Sequence, residues 1–211
     1  MPKALIFMPF DPNHDMYRMS RIEYGDEGGT QKNLKVKEFL ISRGFSVAVE
    51  WYTGKKLPHI QSFDNGHIYI RGHGHAGEPN IYSAKSFGER ISYEKVYERL
   101  RASGLPKSFS GEIHCFNCHS GEPGDPNKDM LATPTPYARM FADHMYTKGY
   151  RAATFYGYLG PLDSLPKQGS KGLNIYSRNP YVAQDKQEYG TWDQARVGFR
   201  PTVNLKRKKW F

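Results

Sequence analysis

Two short stretches concentrate the reactive side chains of this sequence: "HIYIRGHGHAG", His67 to Gly77, and "EIHCFNCHSG", Glu112 to Gly121. Each reads as an apolar strand running into a polar turn that carries histidine or cysteine. An imidazole and a thiol brought together support nucleophilic chemistry. The imidazole takes the thiol proton, the thiolate attacks a carbonyl carbon, and backbone N–H groups hold the resulting oxyanion. In the first stretch Gly72 and Gly74 frame His73, and glycine lets backbone and substrate approach closely. In the second, Asn117-Cys118-His119-Ser120-Gly121 places the Cys118 thiol just past a strand end. His75 lies further from its strand and has a glycine on one side only. Cys115 stands an odd number of residues before Cys118, so in an extended strand their side chains face opposite ways and Cys115 reads as an inert core thiol. His114 and His119 read as structural or exposed.

The same residues permit other chemistries. Cys115-Phe116-Asn117-Cys118-His119 matches the C-x-x-C-H sequence of c-type haem attachment. That chemistry needs both thiols and the histidine on one turn, whereas this segment reads as a strand entering a turn. A zinc site drawn from His73, His75, Cys115, Cys118 and His119 suits the softness of imidazole and thiolate, but the extended setting separates the ligands. A third reading is a basic, non-enzymatic nucleic-acid-binding protein, which the net charge of +9 and 15 tyrosines would permit. No recognised binding signature supports it, and charge alone is weak support. The expectation is therefore a thiol enzyme with no required cofactor and no metal.

The elements that must position these groups are legible from patterning. Strands are expected at Ala4 to Met8, Phe45 to Tyr52, Ile68 to Arg71, Glu112 to Asn117 and Ala152 to Tyr158, bounded by Gly, Pro, Asn or Asp. Three helices lie between them. Thr30 to Arg43 carries Val36, Phe39 and Leu40 on one face and stops at Gly44. Ser92 to Ser103 carries Tyr93, Val96, Tyr97 and Leu100 and stops at Gly104. Pro136 to Lys148 carries Tyr137, Met140, Phe141 and Met145 and stops at Gly149. Strands alternating with helices predict an α/β fold of three layers with a mostly parallel sheet. Ligand sites of such sheets lie beyond the carboxyl ends of the strands, which sets both turns on one rim. After Tyr158 the pattern becomes rich in Gly, Pro, Tyr and basic residues, with Val197 to Leu205 the one later strand candidate, so a β-rich extension is expected there.

The 211 residues suit one domain, and 38% hydrophobic with 14% aromatic residues can build its core. No apolar run approaches the roughly 20 residues that cross a bilayer, so a soluble protein without a membrane span is expected. Met1 to Pro9 reads as a first strand rather than a secretory signal, and two cysteines in one four-residue stretch cannot staple a secreted fold. Cytoplasmic synthesis is the expectation. Leu159 to Phe211 holds ten Lys/Arg against four Asp/Glu, which points to a polyanion partner at that end.

An apolar strand, then His-Gly, then a helix, then an apolar strand ending in Cys resembles the caspase-like (clan CD) cysteine peptidases. The likeness is carried by Ile68 to Gly121 and, more loosely, by the strand order of Ala4 to Tyr158. The Gly72-His73-Gly74 turn, the strand-end Cys118 and the basic extension are most similar to the self-cleaving cysteine peptidase domains of bacterial toxins. The resemblance implies a caspase-like catalytic core over 1–158 with a basic extension, 159–211, packed on it. It implies His73 as general base, Cys118 as nucleophile, the Gly74 and Cys118 N–H groups as oxyanion hole, and a polypeptide substrate. Asp11 is the candidate to orient the histidine. True caspases carry Gln-Ala-Cys-x-Gly; here Phe116-Asn117 precedes the cysteine, so aspartate specificity lacks support. The strand after the cysteine and its loop, Phe155 to Leu162 with Tyr156, Tyr158 and Leu159, would line an apolar P1 pocket suited to Leu. Toxin peptidase domains of this kind are switched on by inositol hexakisphosphate, so the resemblance also implies an inositol phosphate bound to Lys206, Arg207, Lys208 and Lys209. Self-processing within Ser120 to Pro136 and a role as a bacterial effector delivered to a host cell complete the expectation.

Overall fold

The computed structural model describes residues 1–10, 36–83, 89–162, 167–169, 172–174, 176–178 and 188–200. A six-stranded sheet forms its centre, in the order β12-β7-β6-β3-β1-β2. These strands are β1 (Lys3–Met8), β2 (Ser46–Trp51), β3 (His67–Arg71), β6 (Glu112–Phe116), β7 (Thr154–Tyr158) and β12 (Arg196–Phe199). The first five run parallel, and β12 closes the edge antiparallel to β7. β1 is buried at every position after Lys3, the near-continuous apolar run that a strand covered on both faces requires. The three-layer α/β expectation stands at this level: a mostly parallel sheet with apolar cores on both faces.

Strand alternation sorts the two cores. Leu5, Phe7, Ile68, Ile70, Ile113, Cys115 and Phe155 face one side, where α2 (Pro58–Gln61), α3 (Tyr93–Ala102) and α4 (Tyr137–Thr147) supply Ile60, Val96, Leu100, Phe141 and Met145. Ala4, Ile6, Met8, Tyr69, Phe116 and Tyr158 face the other, against Val36, Phe39 and Leu40 of α1 (36–42) and Trp192 of α5 (Trp192–Ala195). Each fully buried large apolar side chain contributes about 1.5–3 kcal/mol, so both faces hold the sheet in place.

The expected helices appear with small differences. Ser92 caps α3 by accepting the Lys95 N–H, and Gly44, Gly104 and Gly149 all take positive φ where the three helices stop. The part of the first helix expected over 30–35 lies outside the described residues. On α4, Met140 stays partly exposed, and Ala138 and Ala142 take the buried stripe beside Tyr137, Phe141 and Met145. The extension is richer in strands than patterning foresaw. Besides β12, it holds the antiparallel pairs β8 (Lys167–Gly169) with β9 (Gly172–Asn174), and β10 (Tyr176–Arg178) with β11 (Glu188–Thr191). These are segments of three or four residues without apolar alternation, which is why periodicity misses them. No helix among the described residues is long and apolar enough to cross a membrane.

Phe141 stacks on Tyr137 and meets the edge of the Phe155 ring, joining α4 to β7. Phe141→Ala should cost about 3–5 kcal/mol through lost transfer energy and the cavity left behind; the loss is read from urea unfolding midpoints.

Candidate active site

Both reactive turns leave the carboxyl ends of neighbouring parallel strands, because β3 pairs with β6 from His67↔Glu112 to Arg71↔Phe116. The chain past β3 is fixed by a pair of backbone hydrogen bonds. The His73 N–H donates to the Tyr82 carbonyl at 2.8 Å and the Tyr82 N–H donates to the His73 carbonyl at 3.0 Å. Tyr82 ends β4 (Asn80–Tyr82), which forms a hairpin with β5 (Arg90–Ser92). The phenol of Tyr82 donates in turn to the buried Glu78 carboxylate.

Of the two glycines around His73, packing requires Gly74, whereas a Cβ at position 72 would press on its neighbours by only a few tenths of an ångström. A Cβ on Gly72 would stand 3.1 Å from Ile81 Cδ1. A Cβ on Gly74 would stand 2.5 Å from Asn117 Nδ2 and 2.9 Å from the Cys118 carbonyl oxygen. The Gly72-His73-Gly74 turn therefore lies directly against Asn117-Cys118, with His73 and Cys118 both partly exposed and Gly74 buried. Among the described residues, the backbone N–H groups of Gly74 and Cys118 donate to no backbone carbonyl. The Asn117 side chain, 2% exposed, makes no hydrogen bond among them either.

The turn past β6 is held by several hydrogen bonds. The Ser120 hydroxyl donates to the Cys115 carbonyl at 2.6 Å and accepts the Tyr158 N–H at 2.9 Å. His119 adopts φ +57°, a left-handed conformation that non-glycine residues rarely take. Its Nδ1 meets Glu122 Oε2 at 2.6 Å, its N–H donates to the Gly160 carbonyl, and Glu122 Oε1 accepts the Gly160 N–H at 2.7 Å. Burial works against the Glu122 carboxylate, but the His119 imidazole and the Gly160 N–H outweigh it and hold its pKa below the ordinary value. Such clips offset the backbone strain at His119. The Leu162 N–H donates to Cys118 Sγ at 3.3 Å, orienting the sulfur. Further backbone bonds, Gly77 N–H to the Glu122 carbonyl and Thr133 N–H to the Gly77 carbonyl, join the histidine loop to 120–136.

The other expected site residues fall in different places. Cys115 is fully buried beneath α3 and α4, and burial pushes its thiol pKa well up. His75 is exposed, with its ring edge-on to Tyr82. With Cys115 inside the core and His119 bound to Glu122, the haem-type cluster is not assembled on one turn. Among the described residues, the His/Cys/Asp/Glu group whose donor atoms converge is a different one, His67, Glu112 and His114. Tyr156 and Tyr158, expected in a substrate pocket, instead face the aromatic layer. Tyr158 stacks on Trp192 and is 1% exposed, and its hydroxyl meets His114 Nδ1 at 2.9 Å. Tyr156 stacks on His114 and lies under the Arg196 guanidinium. Leu159 is partly exposed beyond the strand end, so the rim-side part of the expected lining shrinks to the segment from Leu159 to Leu162. Asp11, Lys206, Arg207, Lys208 and Lys209 lie outside the described residues.

Sequence reading did not foresee the roles of Ser120, Glu122 and the β4–β5 hairpin, which act through backbone groups that composition does not display. Comparison with known proteins adds no relative: no family model matches the chain, and no curated protein matches it.

Gly74→Ala should force the two turns apart and cost about 1–3 kcal/mol, the usual range for overpacking. Gly198→Ala, whose Cβ would meet only the Tyr156 ring at 3.5 Å or beyond, should stay within about 0.5 kcal/mol of the unsubstituted chain. Denaturant unfolding of the two variants side by side checks the contrast.

Proposed function

We propose that the chain is a caspase-like cysteine endopeptidase in which His73 activates Cys118. The observation that carries this reading is the contact of Gly74 with Asn117-Cys118, which places an imidazole-bearing turn and a thiol-bearing turn side by side on one rim. The backbone N–H groups of Gly74 and Cys118, which donate to no backbone carbonyl among the described residues, suit an oxyanion hole.

The chemistry follows from these groups. The His73 imidazole takes the Cys118 proton, and the sulfur attacks the scissile carbonyl carbon to form a C–S bond. The carbonyl electron pair moves onto oxygen, held by the two N–H groups. Collapse of this intermediate breaks the C–N bond, and the imidazolium proton passes to the leaving amine. Water, deprotonated by His73, then hydrolyses the thioester, releasing a carboxylic acid and restoring the thiol. The Leu162 N–H on Sγ gives the sulfur a fixed position for attack, and geometry of this kind supplies much of an enzyme's acceleration.

The segment from Leu159 to Leu162, whose Leu162 N–H donates to Cys118 Sγ, carries no charged side chain and so suits an apolar P1 residue. Self-processing fits the 120–136 loop, where Met130 and Leu131 are exposed at 95% and 51% between the backbone anchors at Gly124 and Thr133. An inositol phosphate on Lys206 to Lys209 and service as a bacterial effector remain part of this proposal.

Reporter peptides with Leu, Asp or Arg at P1, assayed with and without inositol hexakisphosphate, test it. Leu should be preferred, the phosphate should raise the rate, and Cys118→Ala should abolish cleavage. His73→Ala should lower kcat/KM by about 100- to 10,000-fold, the range for loss of a general base. Cleavage that survives Cys118→Ala overturns the peptidase reading; a preference for Asp or Arg removes the apolar pocket, and indifference to the phosphate removes the activator.

A further inference from the structure

A second cluster lies at the opposite end of the same two strands. Glu112 and His114 alternate onto one face of β6, and His67 opens β3 in register with Glu112. Three donor atoms converge there. His67 Nδ1 is 3.2 Å from Glu112 Oε2, His114 Nε2 is 3.1 Å from the same oxygen, and the two nitrogens are 3.3 Å apart. This is a nearly equilateral triangle. Four ligands arranged tetrahedrally at about 2.0–2.1 Å from an ion are separated from one another by about 3.3 Å, so the triangle has the dimensions of one face of such a tetrahedron.

The rings are held in place before any ion arrives. His114, 1% exposed, is stacked between Tyr69 at 4.5 Å and Tyr156 at 5.1 Å, and its Nδ1 meets the Tyr158 hydroxyl at 2.9 Å. His67 stands edge-on to Phe45 at 5.0 Å. Protons alone can bridge these groups only pairwise, since His67 Nδ1 and His114 Nε2 lie within hydrogen-bond distance of each other as well as of Glu112 Oε2. A cation accepts both lone pairs and the carboxylate at once, and leaves His114 Nδ1–H to donate to the Tyr158 oxygen, the outer-sphere bond that fixes the tautomer of a metal-bound histidine. Arg196 Nη1 lies 3.7 Å from Glu112 Oε2 and so competes with an ion for the carboxylate. The side chains of His67 and Glu112 are 25% and 32% exposed, leaving a solvent-facing fourth position.

We infer that His67 Nδ1, Glu112 Oε2 and His114 Nε2 bind one divalent cation of the zinc class, with water as the fourth ligand. Two imidazoles and a carboxylate suit this borderline ion rather than calcium or magnesium, which take oxygen ligands. The ion would pin β3 to β6 at their amino ends and stabilise the folded chain by mass action. The site shares no residue with the His73–Cys118 pair and does not depend on the peptidase reading.

The test is titration of the chelator-treated full chain with zinc chloride, and with cobalt chloride as a spectroscopic probe. One zinc per chain should bind and raise the melting temperature. Cobalt should give the visible bands of tetrahedral coordination without the near-ultraviolet thiolate band that a cysteine ligand would add. Loss of outer-sphere partners already costs about 10–100-fold in affinity, so His67→Gln and Glu112→Gln should each weaken zinc binding by about 100-fold or more. Both positions are partly exposed, so the variants should fold, and circular dichroism is the check. Cys118→Ala should bind zinc like the unsubstituted chain, and Arg196→Gln should bind it more tightly. Absence of stoichiometric binding, undiminished binding by either ligand variant, or loss of binding in Cys118→Ala overturns the site.

Discussion

The proposed peptidase activity depends on one close backbone approach, that of Gly74 to Asn117-Cys118. A side chain as small as a methyl group at position 74 would meet Asn117 Nδ2 at 2.5 Å. Parallel pairing of β3 with β6 sets the two strand ends side by side, but pairing alone leaves open where the chain goes next. The glycines, the His73–Tyr82 backbone pair and the Ser120 and Glu122 clips direct both turns inward. The proposed activity asks a thiol and an imidazole on these separate elements to act on one substrate.

The strand alternation that orders the core also separates two kinds of chemistry. On β6, odd positions go to the apolar layer, which is why Cys115 is sealed beneath α3 and α4 with its thiol held protonated by burial. Even positions go to the aromatic layer. There burial pushes the His114 pKa down to about 4, against the pull of Glu112, so the imidazole stays neutral. Past the last paired residue the alternation ends and Cys118 is presented at the rim. One strand thus carries a titratable cluster at its start, an inert thiol inside and a partly exposed thiol beyond its end.

Much of this was readable in the residues. The five parallel strands and three helix stops follow from apolar runs closed by glycine, and opposite facing of Cys115 and Cys118 follows from period two. The placement of Tyr156 and Tyr158 was also readable from that period: both share parity on β7, and the aromatic Tyr69, Phe116 and Trp192 offer the face they fill. Reading "FYGYLGPL" as one pocket lining ignored the alternation inside the strand. Glu112 and His114, two positions apart in an otherwise apolar strand, carried a signal of the same kind, but aligning them with His67 required the β3–β6 register. The extension resisted for a different reason. β8 to β11 are three or four residues each, too short for periodicity to exceed noise, and β12 is stabilised by pairing with β7 rather than by its own pattern.

The central claim is that the two turns create one activated thiol, and its most direct measurement is the rate of iodoacetamide labelling at neutral pH, followed by intact-protein mass spectrometry. Rapid, single modification at Cys118 that slows sharply in His73→Ala, with Cys115 untouched, is the predicted result. Slow labelling of Cys118 at a rate indifferent to His73 would contradict the account and leave Cys118 as a structural thiol.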